Sequence, residues 1–145
     1  MFVNENKFRV RYVETDKMGI VYHANYYVWF DMGRTEFLRD IGYQFSDLEN
    51  SGLLFPLLET RCLHKKPARF DELLTVKTTI NEMKGVRISF NYEVYNESNE
   101  LIATGYTGHA FVDSNMRPLI LKKSFPDLYE KLLNSIEDKN VSPKL

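Results

Sequence analysis

The stretch from residue 24 to 41, A-N-Y-Y-V-W-F-D-M-G-R-T-E-F-L-R-D-I, constrains the fold of this chain more than any other. Its apolar residues recur with the 3.6-residue period of a helix. Tyr26, Phe30, Gly33, Phe37 and Ile41 form one stripe, and Val28, Trp29, Met32 and Thr35 widen it. Gly42 follows where a helix C-cap belongs. A helix that is apolar over most of its circumference has to be surrounded by protein, so the rest of the chain must supply a surface that curves around it.

That surface reads as strands. Residues 7–13 alternate, with Phe8, Val10 and Tyr12 on one side and Arg9 and Arg11 on the other, and predict a half-buried strand. Residues 53–64 are extended and interrupted by Pro56. Residues 72–80 place Leu74, Val76 and Ile80 opposite Lys77 and Thr79, and N-E-M-K-G then predicts a turn. The strongest alternation is at 86–95, where Val86, Ile88, Phe90, Tyr92 and Val94 face away from Arg87, Ser89, Asn91 and Glu93. N-E-S-N-E predicts a second turn, and 101–113 the last strand. Two successive turns of this kind imply an antiparallel meander, here expected to have four strands. Ser124 to Asp127 reads as a capping signature before a short amphipathic helix, and the polar tail from about 138 is expected to fray. The expectation is an α+β fold in one domain over residues 1–137: a five-stranded antiparallel sheet wrapped around a long central helix, with a short C-terminal helix. Sheet edges and an outer face left open in one chain predict at least a homodimer.

Composition removes several classes of function. The 145 residues suffice for one real core, and 10 Phe with 9 Tyr make it aromatic. A formal net charge of −1 provides no general attraction to nucleic acid. No apolar run approaches the ~20 residues of a membrane span, and the N-terminus lacks the apolar core of a signal peptide, so a cytoplasmic protein is expected. The single cysteine, Cys62, excludes an intrachain disulfide and a multi-cysteine zinc site, and is expected to be buried and inert. His64 and His109 fall on predicted strands at no metal-ligand spacing, which favours core or interface roles over a metal.

The chemistry lies just ahead of the central helix, in E-T-D-K-M-G-I-V-Y-H-A-N-Y-Y from residue 14. Asp16 and His23 flank Gly19, the first glycine of the chain. By itself an aspartate in such a place is more readily a turn or helix cap than a reacting group. The run from Thr15 to Tyr26, with Trp29-Phe30 and Arg34-Thr35-Glu36 behind it, resembles the signature of hotdog-fold acyl-CoA thioesterases. The similar branch is the 4-hydroxybenzoyl-CoA thioesterase family, including the thioesterases associated with the bacterial Tol–Pal system, and the likeness spans roughly residues 5 to 130 in the same order of elements.

The resemblance implies that Asp16 is the catalytic carboxylate. It also implies that His23 marks the helix N-terminus whose backbone N–H binds the thioester carbonyl, and that Gly19, Val21 and Tyr22 border the substrate. Lys17 and Met18 depart from the smaller residues or proline commoner there. Such a site suits the reaction: unpaired N–H groups and the positive end of a helix dipole stabilise an oxyanion, while a carboxylate attacks the thioester or activates water. Glu36 is the rival carboxylate, more naturally a partner of Arg34 or Arg39, and Tyr22 and Tyr26 read foremost as packing residues. Basic residues at strand ends and turns, Lys65, Arg87 and Arg117 among them, suit the phosphates of an acyl-CoA. No metal or cofactor is expected, and a homodimer or homotetramer is implied. A hotdog dehydratase or hydratase would carry an H-F-P-x-x-P-x-x-P-G-type motif, which Y-H-A-N-Y is not. A non-catalytic acyl-CoA-binding protein on the same fold is the remaining alternative.

Overall fold

The computed structural model describes residues 1–137; the tail expected to fray from residue 138 lies outside the described residues. The strands are β1 (Asn4–Arg9), β2 (Leu57–His64), β3 (Leu73–Lys84), β4 (Arg87–Tyr95) and β5 (Leu101–Ala110). The helices are α1 (Ala24–Asp40), α2 (Phe45–Asn50), α3 (Leu121–Ser124) and α4 (Pro126–Glu137). All five strands join one antiparallel sheet in the order β1-β3-β4-β5-β2.

The predicted alternation places the core. Val76, Thr78 and Ile80 of β3 lie opposite Val94, Tyr92 and Phe90 of β4, all buried on the side that receives α1. From α1 come Tyr26, Trp29, Phe30, Phe37 and Leu38, each at most 2% exposed. Phe30 stacks on Tyr92 with centroids 4.5 Å apart and planes inclined by 17°. It can approach so closely because Gly105, cross-strand from Tyr92, has no side chain; a methyl there would overlap the Phe30 ring. Val28 and Met32 are 46% and 38% exposed, so one side of α1 is not covered by its own chain.

Several element boundaries differ from the sequence reading. The first strand begins and ends earlier than 7–13, because Tyr12–Glu14 coil into a 3-10 turn whose Glu14 carboxylate accepts from the Arg11 N–H at 2.8 Å. Tyr12 is therefore exposed. The residues N-E-M-K belong to β3, which passes a bulge between Ile80 and Glu82 and turns only at Gly85-Val86. Three strands, β3-β4-β5, form the meander, and β2 is not its first member. It pairs instead with β5 at the far edge, Cys62 opposite Gly105 and His64 opposite Ala103. The eight-residue connection Lys65–Glu72, containing Pro67, is too long for a tight hairpin and carries the chain across to β3. Ser124 ends the short α3, and α4 starts at Pro126, where proline's missing N–H costs nothing. The short α2 has a single buried residue, Leu48, and so shows no helical period in the sequence.

Candidate active site

The loop before α1 is fastened from beneath by Glu14, only 3% exposed. Its carboxylate accepts from the Trp29 indole N–H at 2.9 Å and from the Arg11 guanidinium at 3.3 Å, and its backbone carbonyl accepts from the Asn25 side chain at 2.9 Å. Burial opposes the ionised form of Glu14, but the hydrogen bonds from Arg11 and Trp29 together win and hold its carboxyl below the usual range. The loop is thus tied directly to the buried face of the central helix.

Above this anchor the chain makes a tight turn. The Gly19 N–H donates to the Asp16 carbonyl and the Asp16 N–H to the Ile20 carbonyl, both at 2.9 Å. Gly19 has φ +77°, a conformation that penalises any side chain. The Asp16 carboxylate accepts from the Met18 N–H at 2.8 Å through one oxygen, which fixes its direction and leaves the other free. Val21 is then drawn under the β2–β3 connection, its N–H bonded to the Ala68 carbonyl at 2.8 Å.

Helix α1 starts directly after. The Asn25 N–H is taken by the Tyr22 carbonyl at 3.0 Å and the Tyr26 N–H by the His23 carbonyl at 3.1 Å, which leaves the His23 and Ala24 N–H groups without a backbone acceptor among the described residues. The His23 side chain makes no capping hydrogen bond. Asp16, Met18, Ile20, Val21, His23 and Tyr26 all line one cavity of about 510 Å³, closed on its other side by His64, Lys65, Lys66 and Pro67. The Asp16 carboxylate and His23, at the helix start, therefore share one space, the arrangement that attack on a carbonyl requires.

The structure distributes the sequence-predicted residues unevenly. Asp16, Val21, His23 and Lys65 line the cavity, and Gly19 makes its turn. Tyr22 is 47% exposed, with its ring 4.3 Å from that of His23, and is not among the residues that line the cavity. Tyr26 is the packing residue, 2% exposed, with burial pushing its phenol up to about 12. Arg87 lines a different, smaller cavity with Leu58, Glu59 and His109, and Arg117 sits in the turn formed around Asp113. Glu36 pairs with Arg39 at 3.3 Å, as its structural reading requires, while Arg34 pairs with Asp31.

Two histidines and the cysteine refine the sequence reading. His64, expected in a core or interface, is exposed on the cavity wall. His109 is a core residue, 1% exposed, between the Phe55 carbonyl at 3.3 Å and the Thr107 hydroxyl at 2.9 Å. Cys62 is half-buried, and burial raises its thiol to about 11, so it stays protonated and unreactive. Glu14 escaped sequence reasoning altogether. Its signal was a carboxylate fifteen positions ahead of the lone Trp29, a pairing that only the fold reveals.

Comparisons with known proteins agree with this geometry. The sequence model of the thioesterase-like superfamily matches residues 10–135. The chain is 40% identical over 135 residues to the candidate acyl-CoA thioesterase YneP of Bacillus subtilis, covering 90% of this chain and 98% of that protein. It is 32% identical over 117 residues to the acyl-CoA thioester hydrolase YbgC of Escherichia coli O157:H7, covering 80% and 87%. Among solved structures, the DHNA-CoA thioesterase of Staphylococcus aureus superposes with a TM-score of 0.91 at 31% identity, covering 99% of this chain and all of that one. The turn, the carboxylate and the open helix start thus sit in the fold that these proteins share, and the chain belongs to the thioesterase-like superfamily with its hotdog architecture.

Proposed function

We propose that this protein hydrolyses acyl-CoA thioesters to a free acid and CoA, with Asp16 as the reacting carboxylate and the start of α1 as the oxyanion site. One observation carries the reading: the oriented Asp16 carboxylate and His23, whose N–H has no backbone acceptor among the described residues, border the same cavity at the start of α1. The thioester oxygen lies against the helix start, where N–H groups and the helix dipole stabilise the charge that develops on it. Asp16 acts by one of two routes. As general base it takes a proton from water while the water oxygen attacks the carbonyl carbon, and the C–S bond breaks to release the thiolate. As nucleophile it forms a mixed anhydride with loss of thiolate, and water then cleaves the anhydride to restore the carboxylate. Both consume one water and release one acid and one CoA.

The acyl-CoA activities named for its relatives support the same substrate class. Lys65 on the cavity rim suits the phosphates of the CoA arm. Arg87 and Arg117 lie away from this cavity within one chain, so their contribution would come from a second subunit. The uncovered Val28 and Met32 of α1 and the exposed Leu57, Leu58 and Leu63 of the edge strand β2 support a homodimer or homotetramer built from a single domain over residues 1–137. A cytoplasmic location fits the CoA substrate, and among the described residues no helix is long and apolar enough to cross a membrane.

The test is hydrolysis of a panel of short aliphatic, long aliphatic and aromatic acyl-CoAs by the wild type and by Asp16→Asn. The amide is neither base nor nucleophile, so kcat should fall by about two to four orders of magnitude while the fold persists. Near-wild-type turnover in Asp16→Asn would remove Asp16 from its role and bring Glu36 forward. Single-turnover reaction in oxygen-18 water separates the routes, since only the nucleophilic one can leave label in the Asp16 side chain.

A further inference from the structure

One polar side chain of the cavity lies outside the loop motif. His64 ends β2, and pairing of β2 with β5 sets it opposite Ala103 and against the first turn of α1. Its ring meets the Tyr26 ring edge-on, with centroids 4.7 Å apart and planes at 86°. Tyr26 is held in the core, so this contact limits the rotation of the imidazole. The groups that face His64 are Asp16 from the loop, His23 and Tyr26 from α1, Cys62 on its own strand, and Lys65 and Lys66 from the connection that follows. Lys66 is occupied by an ion pair with Glu100.

The two ring nitrogens differ. Nδ1 lies 4.0 Å from the Cys62 Sγ, within the range of a sulfur hydrogen bond, whereas Nε2 makes no hydrogen bond to the described residues. The Cys62 thiol remains protonated because burial raises it to about 11, so it is able to donate to Nδ1. Burial, and after it the neighbouring His23, hold His64 below the ordinary histidine range, which keeps its ring neutral at physiological pH. A neutral imidazole that accepts at Nδ1 carries its proton on Nε2. In that tautomer the cavity wall carries an N–H donor that no described residue uses.

We propose that His64 is a catalytic residue of this cavity, donating a hydrogen bond from Nε2–H to the thioester carbonyl oxygen as it becomes an oxyanion, beside the backbone N–H groups that open α1. This assignment rests on the thioesterase reading. A side-chain donor from β2 adds what the backbone alone lacks: a contact from a second element, so the oxygen is held between strand and helix. Because the donor is uncharged, it strengthens as charge grows on the oxygen and binds the neutral ground-state carbonyl only weakly, which directs its effect to kcat rather than KM.

The experiment combines kinetics with a direct view of the ring, using whichever acyl-CoA the wild type hydrolyses. His64→Ala should lower kcat by about a hundredfold with KM little changed, and His64→Gln, whose side-chain amide also donates, should recover most of that loss. Nitrogen-15 NMR of the histidine-labelled wild type should show His64 neutral with its proton on Nε2, and in Cys62→Ala the two tautomers should mix. A folded His64→Ala enzyme within about threefold of wild-type kcat would overturn the proposal, because loss of an oxyanion donor costs far more. So would a wild-type ring protonated on Nδ1, and this readout decides the matter even should the alanine variant fail to fold. A wild type inactive on every thioester would overturn the thioesterase reading and this assignment together. Active wild type with inactive Asp16→Asn and unimpaired His64→Ala would overturn this one alone.

Discussion

His23 has helical backbone angles, φ −55° and ψ −33°, and caps nothing with its side chain, so the proposed roles of its N–H and its ring can be tested separately. Replacement by alanine preserves the N–H. We expect His23→Ala to fold normally and lose about tenfold or more in kcat, with a changed pH–rate profile, because an imidazole can both donate and accept a proton. A profile of the same shape and height as wild type would assign the whole contribution to the backbone.

The buried His109 predicts a stability effect. Burial, and then the Arg34 charge, push His109 down to about 4 from an ordinary value near 6.5. The unfolded chain binds this proton first, so the contribution to stability is complete above about pH 6.5 and is lost as pH falls toward 4. The loss amounts to about 3 kcal/mol. Chemical denaturation midpoints measured from pH 7.5 to 4.5 should fall in the wild type and fall less in His109→Gln. Parallel pH dependence in the two proteins would contradict this.

Asp16, Gly19 and His23 were legible in the sequence because one short loop holds them all. His64 and Glu14 were not, since strand pairing and a bond to Trp29 bring them into position.

Among the elements, those with a strong period read true. The central helix and the β4 alternation emerged because each presents one continuous buried face to the other. The register between β2 and β5 stayed hidden, since β2 alternates weakly and exposes most of its residues as an edge strand. The boundary of β1 also escaped, because a buried carboxylate rather than a turn residue ends it. Close packing between α1 and β5 hinges on Gly105. Gly105→Ala should destabilise the protein by about 1–3 kcal/mol, since the added methyl displaces the Phe30 ring from its stack on Tyr92. The check is a denaturation midpoint compared with Gly85→Ala, where nothing lies within reach of a new methyl and only backbone strain at φ +61° is added. Equal behaviour with no displacement of the Phe30 ring signals by NMR would disprove the packing account.

For the whole molecule, the exposed side chains matter more than the buried ones. Val28 and Met32 lie one turn apart on α1, and Leu57, Leu58 and Leu63 project from a strand whose outer edge pairs with nothing among the described residues. Sedimentation at micromolar concentration should show a dimer or tetramer, and a fully active monomer would exclude the shared-site reading. The half-covered central helix also carries a prediction about mass action. If the native protein is a dimer that dissociates into two unfolded chains, each tenfold dilution removes about 1.4 kcal/mol per mole of dimer, and the melting temperature should slide downward with dilution. How long such an enzyme survives would then depend on how much of it the cell makes.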